Sequence, residues 1–191
     1  MASVVSDPFA LLALGRYDHA LQSIKNIEQR RSLTGGEQVL LIELLSLTGD
    51  VDAALSTSAS VLRKQELSVS QRCRLHGAFG LSYFRKGANV KGTEQYVAGI
   101  ALAEQCNLPL DECRLRVHLF RNQIHWLGPQ SAAAHLMVLR RKVLNLADPA
   151  IAATFQLALT ELAAKLGLHP RVDCTVRREQ YPQRIVRSLL R

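Results

Sequence analysis

Glycine recurs along this chain at a spacing that favours one class of fold. Gly15, Gly49, Gly87 and Gly128 are separated by 34, 38 and 41 residues. An apolar residue follows each of the first three within three positions, and a small residue lies five positions after all four. A period in the thirties, with a helix, a turn and a helix in each unit, is typical of an α-solenoid. Leu and Ala dominate the composition and aromatic residues make up only 5%, which favours helix over sheet.

The stretch from Phe79 to Gly87 indicates how neighbouring helices meet. Phe79 and Tyr83 are four residues apart, so they share one face of a helix. Gly80 lies beside them, and because a glycine within a helix costs about 1 kcal/mol relative to alanine, it predicts close approach of a neighbouring helix. Gly87 suits the left-handed conformation that ends a helix.

Two of the units contain residues with a counterpart in a known family: Phe79-Gly80, Tyr83 and Gly87 in the third unit, and Gly15, Tyr17 and Ala20 in the first. This set resembles the tetratricopeptide repeat, which has a large and then a small residue in its first helix, an aromatic residue three positions later, and a glycine before its second helix. The resemblance covers roughly residues 5–150. It implies an all-α, right-handed α-solenoid of antiparallel helix pairs, with about four pairs followed by C-terminal helices.

Capping signals and apolar periodicity predict nine helices. Asp7 with Pro8, and Asp148 with Pro149, are typical helix starts. The predicted helices span residues 7–14, 17–31, 34–48, 50–63, 68–86, 89–106, 109–127, 129–146 and 149–167. The third is apolar nearly all round, which indicates burial between neighbours.

The pattern changes after Gly167, so we divide the chain into a helical-repeat domain, residues 1–167, and a basic C-terminal segment, residues 168–191. Four apolar residues of this segment fit a short amphipathic helix: Ile185, Val186, Leu189 and Leu190. Three interpretations remain open. The segment packs on the preceding pair, docks onto another chain, including a second copy, or leads into a longer protein.

Cysteine usage and hydropathy point to a cytoplasmic protein without a metal site or cofactor. The four cysteines form no CxxC pair, which argues against zinc. The N-terminus has Asp7 ahead of its apolar run and no basic segment before it, so we expect no signal peptide. No apolar run approaches the ~20 residues that span a bilayer. We find no phosphate-binding loop and no nucleophile motif, so no catalytic residue is predicted.

Positive charge is concentrated towards the C-terminus. Residues 1–60 hold four basic and seven acidic side chains, residues 61–167 hold fourteen and seven, and residues 168–191 hold six and two. The net charge therefore changes from −3 to +7 and then +4. Such asymmetry hints at acidic partners for the later part of the chain.

In the tetratricopeptide family, the first helix of each pair lines a concave groove. By position relative to each glycine, the resemblance places Glu43 in this groove together with the predicted partner-binding residues, which are Arg74, Leu81, Phe84, Arg85, His118, Asn122, His125 and Trp126. This set is polar, cationic and aromatic, and it fits an extended acidic or amphipathic peptide. His118 and His125 share a helix face, but without a third ligand they predict no metal site.

The sequence therefore predicts a non-catalytic scaffold that binds a partner protein or peptide in the groove. One alternative is a sensor or regulatory arm of a larger bacterial signalling or transcription-regulating protein. Another is a basic helical nucleic-acid binder, which would need runs such as Arg140-Arg141-Lys142 to lie on one surface.

Overall fold

A computed structural model describes residues 7–62, 67–129, 132 and 136–167. These residues form nine helices and no strand, in agreement with the predicted all-α class. The chain divides into two compact units, Met1–Cys106 and Asn107–Arg191. The predicted terminal helix around residues 185–190 lies outside the described residues.

The first unit contains six helices, which are α1 Pro8–Ala13, α2 Tyr17–Glu28, α3 Gly35–Thr48, α4 Val51–Val61, α5 Val69–Arg85 and α6 Asn89–Gln105. The second contains three, which are α7 Pro109–Trp126, α8 Leu136–Leu146 and α9 Pro149–Lys165. For eight of the nine helices, both ends lie within three residues of the predicted ends. The exception is α8, whose described part begins at Leu136, after a stretch that is only partly described. No described helix is both long enough and apolar enough to cross a membrane.

Side-chain caps explain why the helices begin where they do. The side chain of Asp7 accepts from the Phe9 amide at 3.1 Å at the start of α1. Thr34 and Glu37 form a reciprocal capping box at the start of α3. Each cap satisfies amide groups of the first turn that have no partner within the helix.

Gly87 adopts the predicted left-handed conformation, and Gly15, Gly49, Gly128 and Gly167 adopt it as well. Their φ angles lie between 70° and 99°. They follow α1, α3, α5, α7 and α9, which are alternate helices of the described chain. A residue with a Cβ is strained at such angles, so glycine fixes the turn after every second helix.

Helices α5 and α6 approach each other closely, as the glycine within α5 predicts. A Cβ on Gly80 would lie 2.4 Å from the ring of Tyr96, and a Cβ on Gly92 would lie 3.0 Å from the Gly80 carbonyl oxygen. Phe84 contacts Tyr96, with ring centroids 6.2 Å apart. Residues along the two helices pair in opposite order, Cys73 with Gly99, His76 with Gln95 and Tyr83 with Lys91. The two helices are therefore antiparallel.

The third helix is buried on several sides, which confirms the interpretation of its apolar pattern. It packs against α2, α4 and α5. Ser46 and Ser82 are fully buried between α3 and α5, with their hydroxyl groups 2.9 Å apart. Contacts between the two helices advance in the same direction, from Glu43 with Arg74 to Ser46 with Ala78 and Leu47 with Arg85. Hence α3 and α5 run parallel.

The second unit repeats this arrangement. α7 packs against both α8 and α9 around a core that includes Phe120 and Phe155, whose ring centroids are 6.0 Å apart. Phe120 of α7 contacts Phe155 of α9, and further along both helices His125 contacts Glu161. The contacts advance in the same direction on both helices, so α7 and α9 are parallel. Glu112, near the start of α7, accepts from Lys142 in the second half of α8 at 2.6 Å, which is the order expected of antiparallel helices.

Candidate functional site

Two of the predicted binding residues of the first unit, Arg74 and Arg85, join α5 to α3. Arg74 Nε donates to Glu43 Oε1 at 2.8 Å, and its Nη2 donates to Glu43 Oε2. Both side chains are mostly buried, with 22% and 18% of their surface exposed. A bidentate pair of this kind is geometrically specific, so Arg74 stabilises the helix contact.

Arg85 and Phe84 also have structural roles. Arg85 is exposed, and its Nη2 donates to the Leu47 carbonyl oxygen at 3.1 Å, near the C-terminal end of α3. Such carbonyls have no partner within their own helix, so this bond caps α3. Phe84 is fully buried against α6, so it does not reach the surface that the resemblance assigned to it. Leu81 is partly buried.

In the second unit one carboxylate joins two of the basic side chains. Arg121 Nη2 donates to Glu161 Oε1 at 2.7 Å, and His125 Nε2 lies 3.0 Å from Glu161 Oε2. Burial alone would raise the pKa of Glu161, but the hydrogen bonds from Arg121 and His125 outweigh it and lower this pKa. The cluster links α7 to α9.

Sequence reasoning missed Glu161, although the sequence contains a signal for it. Glu161 lies six residues before Gly167, as Glu43 lies six residues before Gly49. We interpreted Gly167 only as a helix end. Counting it as a fifth member of the glycine series would have placed Glu161 among the groove residues.

His118 is a neutral side chain among cations. Burial, and after it the nearby charges of Arg114 and Arg121, lower its pKa to about 4. Its carbonyl oxygen accepts from Asn122 Nδ2 at 2.9 Å, which is a bond within α7. At neutral pH, His118 therefore adds no positive charge to this surface.

Trp126 is the exposed apolar member of the predicted site, and Leu127, which is not among the predicted binding residues, lies beside it. Trp126 is 45% exposed and the adjacent Leu127 is 44% exposed. The basic groups nearby on α7, Arg121 and His125, are held by Glu161. Tryptophan is frequent among the residues that anchor protein interfaces, so Trp126 is the candidate contact residue at this end of α7.

Three of the four cysteines lie in the described part of the chain. Burial raises the pKa of the Cys113 thiol to about 11, so it stays protonated at neutral pH and is a poor nucleophile. Cys73 is also buried, while Cys106 is exposed and unpaired with another cysteine. Within the described ranges, no three His, Cys, Asp or Glu side chains come together as metal ligands. Cys174 lies outside the described residues.

No protein-family model matches this sequence, and searches of curated proteins and of solved structures find no match either. The resemblance to the tetratricopeptide repeat therefore stays a prediction that depends on the glycine pattern.

Proposed function

We propose that this protein is a non-catalytic scaffold, built in each unit as a short right-handed α-solenoid, which binds a protein or peptide partner. The parallel order of alternate helices supports the solenoid, because stacked antiparallel pairs place every second helix in the same direction. The parallel pairs are α3 with α5 in the first unit and α7 with α9 in the second.

The observation that carries the proposal is the exposed pair at the end of α7. Trp126 and Leu127 present nearly half of their surface to solvent. Burying an aromatic and an aliphatic side chain beneath a partner would release apolar surface from water at ~25 cal/mol per Å². Arg121 and His125 are already bound by Glu161, so we propose that a partner binds chiefly through apolar side chains, with charge in a secondary role.

The chain offers a direct reporter for this test because Trp126 is its only tryptophan. Peptides selected from a random display library against the intact protein should shift the emission of Trp126 to shorter wavelength as they bury it. Leu127→Asp should abolish this response at the same peptide concentration. Val97→Asp is the matched control, because Val97 is 52% exposed on α6 in the other unit.

Three results would contradict the proposal. The first is that selected peptides bind without changing the emission, and the second is that they bind the Leu127→Asp variant as well as the parent. The third is binding of random-sequence DNA that weakens steeply with salt and persists in the Leu127→Asp variant. This result would favour the nucleic-acid alternative.

A further inference from the structure

The exposed apolar surface at the end of α7 has a counterpart at the end of α9. Leu166 is 43% exposed, close to the values for Trp126 and Leu127. It lies one residue before Gly167, as Leu127 lies one residue before Gly128. The two leucines therefore occupy equivalent positions in the last turns of two parallel helices, and both face solvent.

Contacts in the preceding turns show that the two helix ends lie at the same level. Glu161 of α9 contacts both Arg121 and His125 of α7. It lies six residues before the turn glycine of its helix, and its two partners lie seven and three residues before theirs. Because the axes of packed helices are about 8–10 Å apart, equivalent residues at these two ends are close neighbours.

The same comparison places Lys165 next to Trp126, because each lies two residues before its turn glycine. In the first unit this position in α5 is Arg85, and Arg85 reaches the last turn of the preceding parallel helix. There its Nη2 donates to the carbonyl oxygen of Leu47, which is also two residues before its glycine. Lysine is a long side chain as well, so Lys165 can extend over the last turn of α7 in the same way.

Unlike Arg85, Lys165 keeps its donors available. It is exposed, and within the described ranges it takes part in no hydrogen bond or ion pair. The indole N–H of Trp126, which can only donate, has no acceptor there either. The other charged groups in the last turns of α7 and α9 are already bonded to Glu161. The start of α8 lies beside the end of α7, and its residues 136–139 carry no charge.

We infer that this surface binds a partner segment that combines apolar side chains with a side-chain carboxylate. The apolar side chains pack on Trp126, Leu127 and Leu166, and the carboxylate accepts from Lys165. An acidic group complements the charge of Lys165, and it can bind there without displacing an internal carboxylate, as it would have to do at Arg121. This inference rests on the proposed function and adds the chemistry that the partner must carry.

Peptide selection followed by a double-mutant cycle tests the role of the carboxylate. Random peptides that lack tryptophan are selected by display against the intact protein and are then titrated while the emission of Trp126 is followed. Selected peptides should be enriched in Asp and Glu. Exchange of the carboxylate for its amide should weaken binding to the parent about threefold at low salt, but should change binding to Lys165→Gln by no more than about 1.5-fold. Lys165→Arg should behave as the parent.

Lys91→Gln is the matched control, because Lys91 lies over the ring of Tyr83 in the other unit. This variant should keep the threefold effect of the amide exchange. Leu166→Asp tests the contribution of α9, and it should weaken peptide binding at least about fivefold. Its control is Leu144→Asp, because Leu144 is 41% exposed on α8, and this control should stay within about twofold of the parent.

Three results would overturn the inference and leave the proposed function intact. Peptides that shift the emission of Trp126 could lack enrichment in acidic residues, the amide exchange could weaken binding to the parent and to Lys165→Gln equally, or Leu166→Asp could bind as its control does. If no selected peptide shifts the emission, the inference and the proposed function are both wrong. An emission shift of the protein alone that disappears on dilution would also overturn the inference, since a second copy would then cover this surface.

Discussion

Gly80→Ala is the most informative single substitution in the first unit. The new Cβ would lie 2.4 Å from two ring atoms of Tyr96, where carbon atoms normally stay about 3.5–4.0 Å apart. Tyr96 is only 2% exposed and packs on Phe84, whose ring lies against Gly92. The ring cannot move away freely, so α5 and α6 must separate or Tyr96 must leave its rotamer.

The magnitude follows from two opposing contributions. Overpacking of a core position costs about 1–3 kcal/mol, and an overlap of more than 1 Å places this site at the upper end. Alanine is better than glycine within a helix by about 1 kcal/mol. The net loss is about 2 kcal/mol in the free energy of unfolding. For a chain of this length it lowers Tm by about 4–8 °C, and Gly80→Leu should lower it further.

Thermal unfolding followed by circular dichroism measures this loss. Gly36→Ala is the matched control, because Gly36 is also helical and its added Cβ would meet only the end of the Gln71 side chain, at 3.2 Å. We expect the control to stay within about 2 °C of the parent. If Gly80→Ala melts with the parent or above it, the close approach of α5 and α6 does not constrain the fold and our reasoning is wrong.

Three further predictions concern charge. The hydrogen bond from Arg31 is the main cause that lowers the pKa of Glu37 to about 2. The ionised Glu37 therefore stabilises the fold above pH ~4.5, and this contribution is lost as the pH falls towards 2. Glu37→Gln should flatten acid unfolding curves in this range. The pKa of His118 is lowered to about 4, so stability should fall as pH drops from ~6.5 to 4, and less so in His118→Gln. Glu161→Gln should lower Tm by about 2–4 °C in thermal melts. Adding Arg121→Gln to this variant should lower Tm little further, because the two residues share one interaction.

The helices were predictable because their signals are local. Asp7 before Pro8 and Thr34 three residues before Glu37 are caps that act within a single turn. Gly87 and the other turn glycines are required by a backbone conformation that few other residues adopt. These features need no knowledge of distant contacts, and the bounds of the helices follow from them.

The faces of the helices were harder to predict, as Phe84 illustrates. Counting back from Gly87 gives the position of Phe84 along α5, but the rotation of α5 is fixed by Tyr96 and Gly92 on another helix. Phe84 therefore turns into the core. The same limit applies to the Arg74–Glu43 and Arg121–Glu161 pairs, whose members are 31 and 40 residues apart. The composition shows how many charged residues are present but not which of them form pairs.

That pairing changes how the net charge of +8 should be interpreted. The position six residues before the turn glycine carries a carboxylate in two helices, Glu43 and Glu161, and each binds an arginine of the parallel helix beside it. The excess of basic residues hinted at acidic partners, yet two of these residues, Arg74 and Arg121, join one parallel helix to the next. At Arg74 and at Arg121, a partner carboxylate would have to displace the internal one. The proposed apolar contact at Trp126 breaks neither ion pair, so within our proposal it is the less costly way to bind.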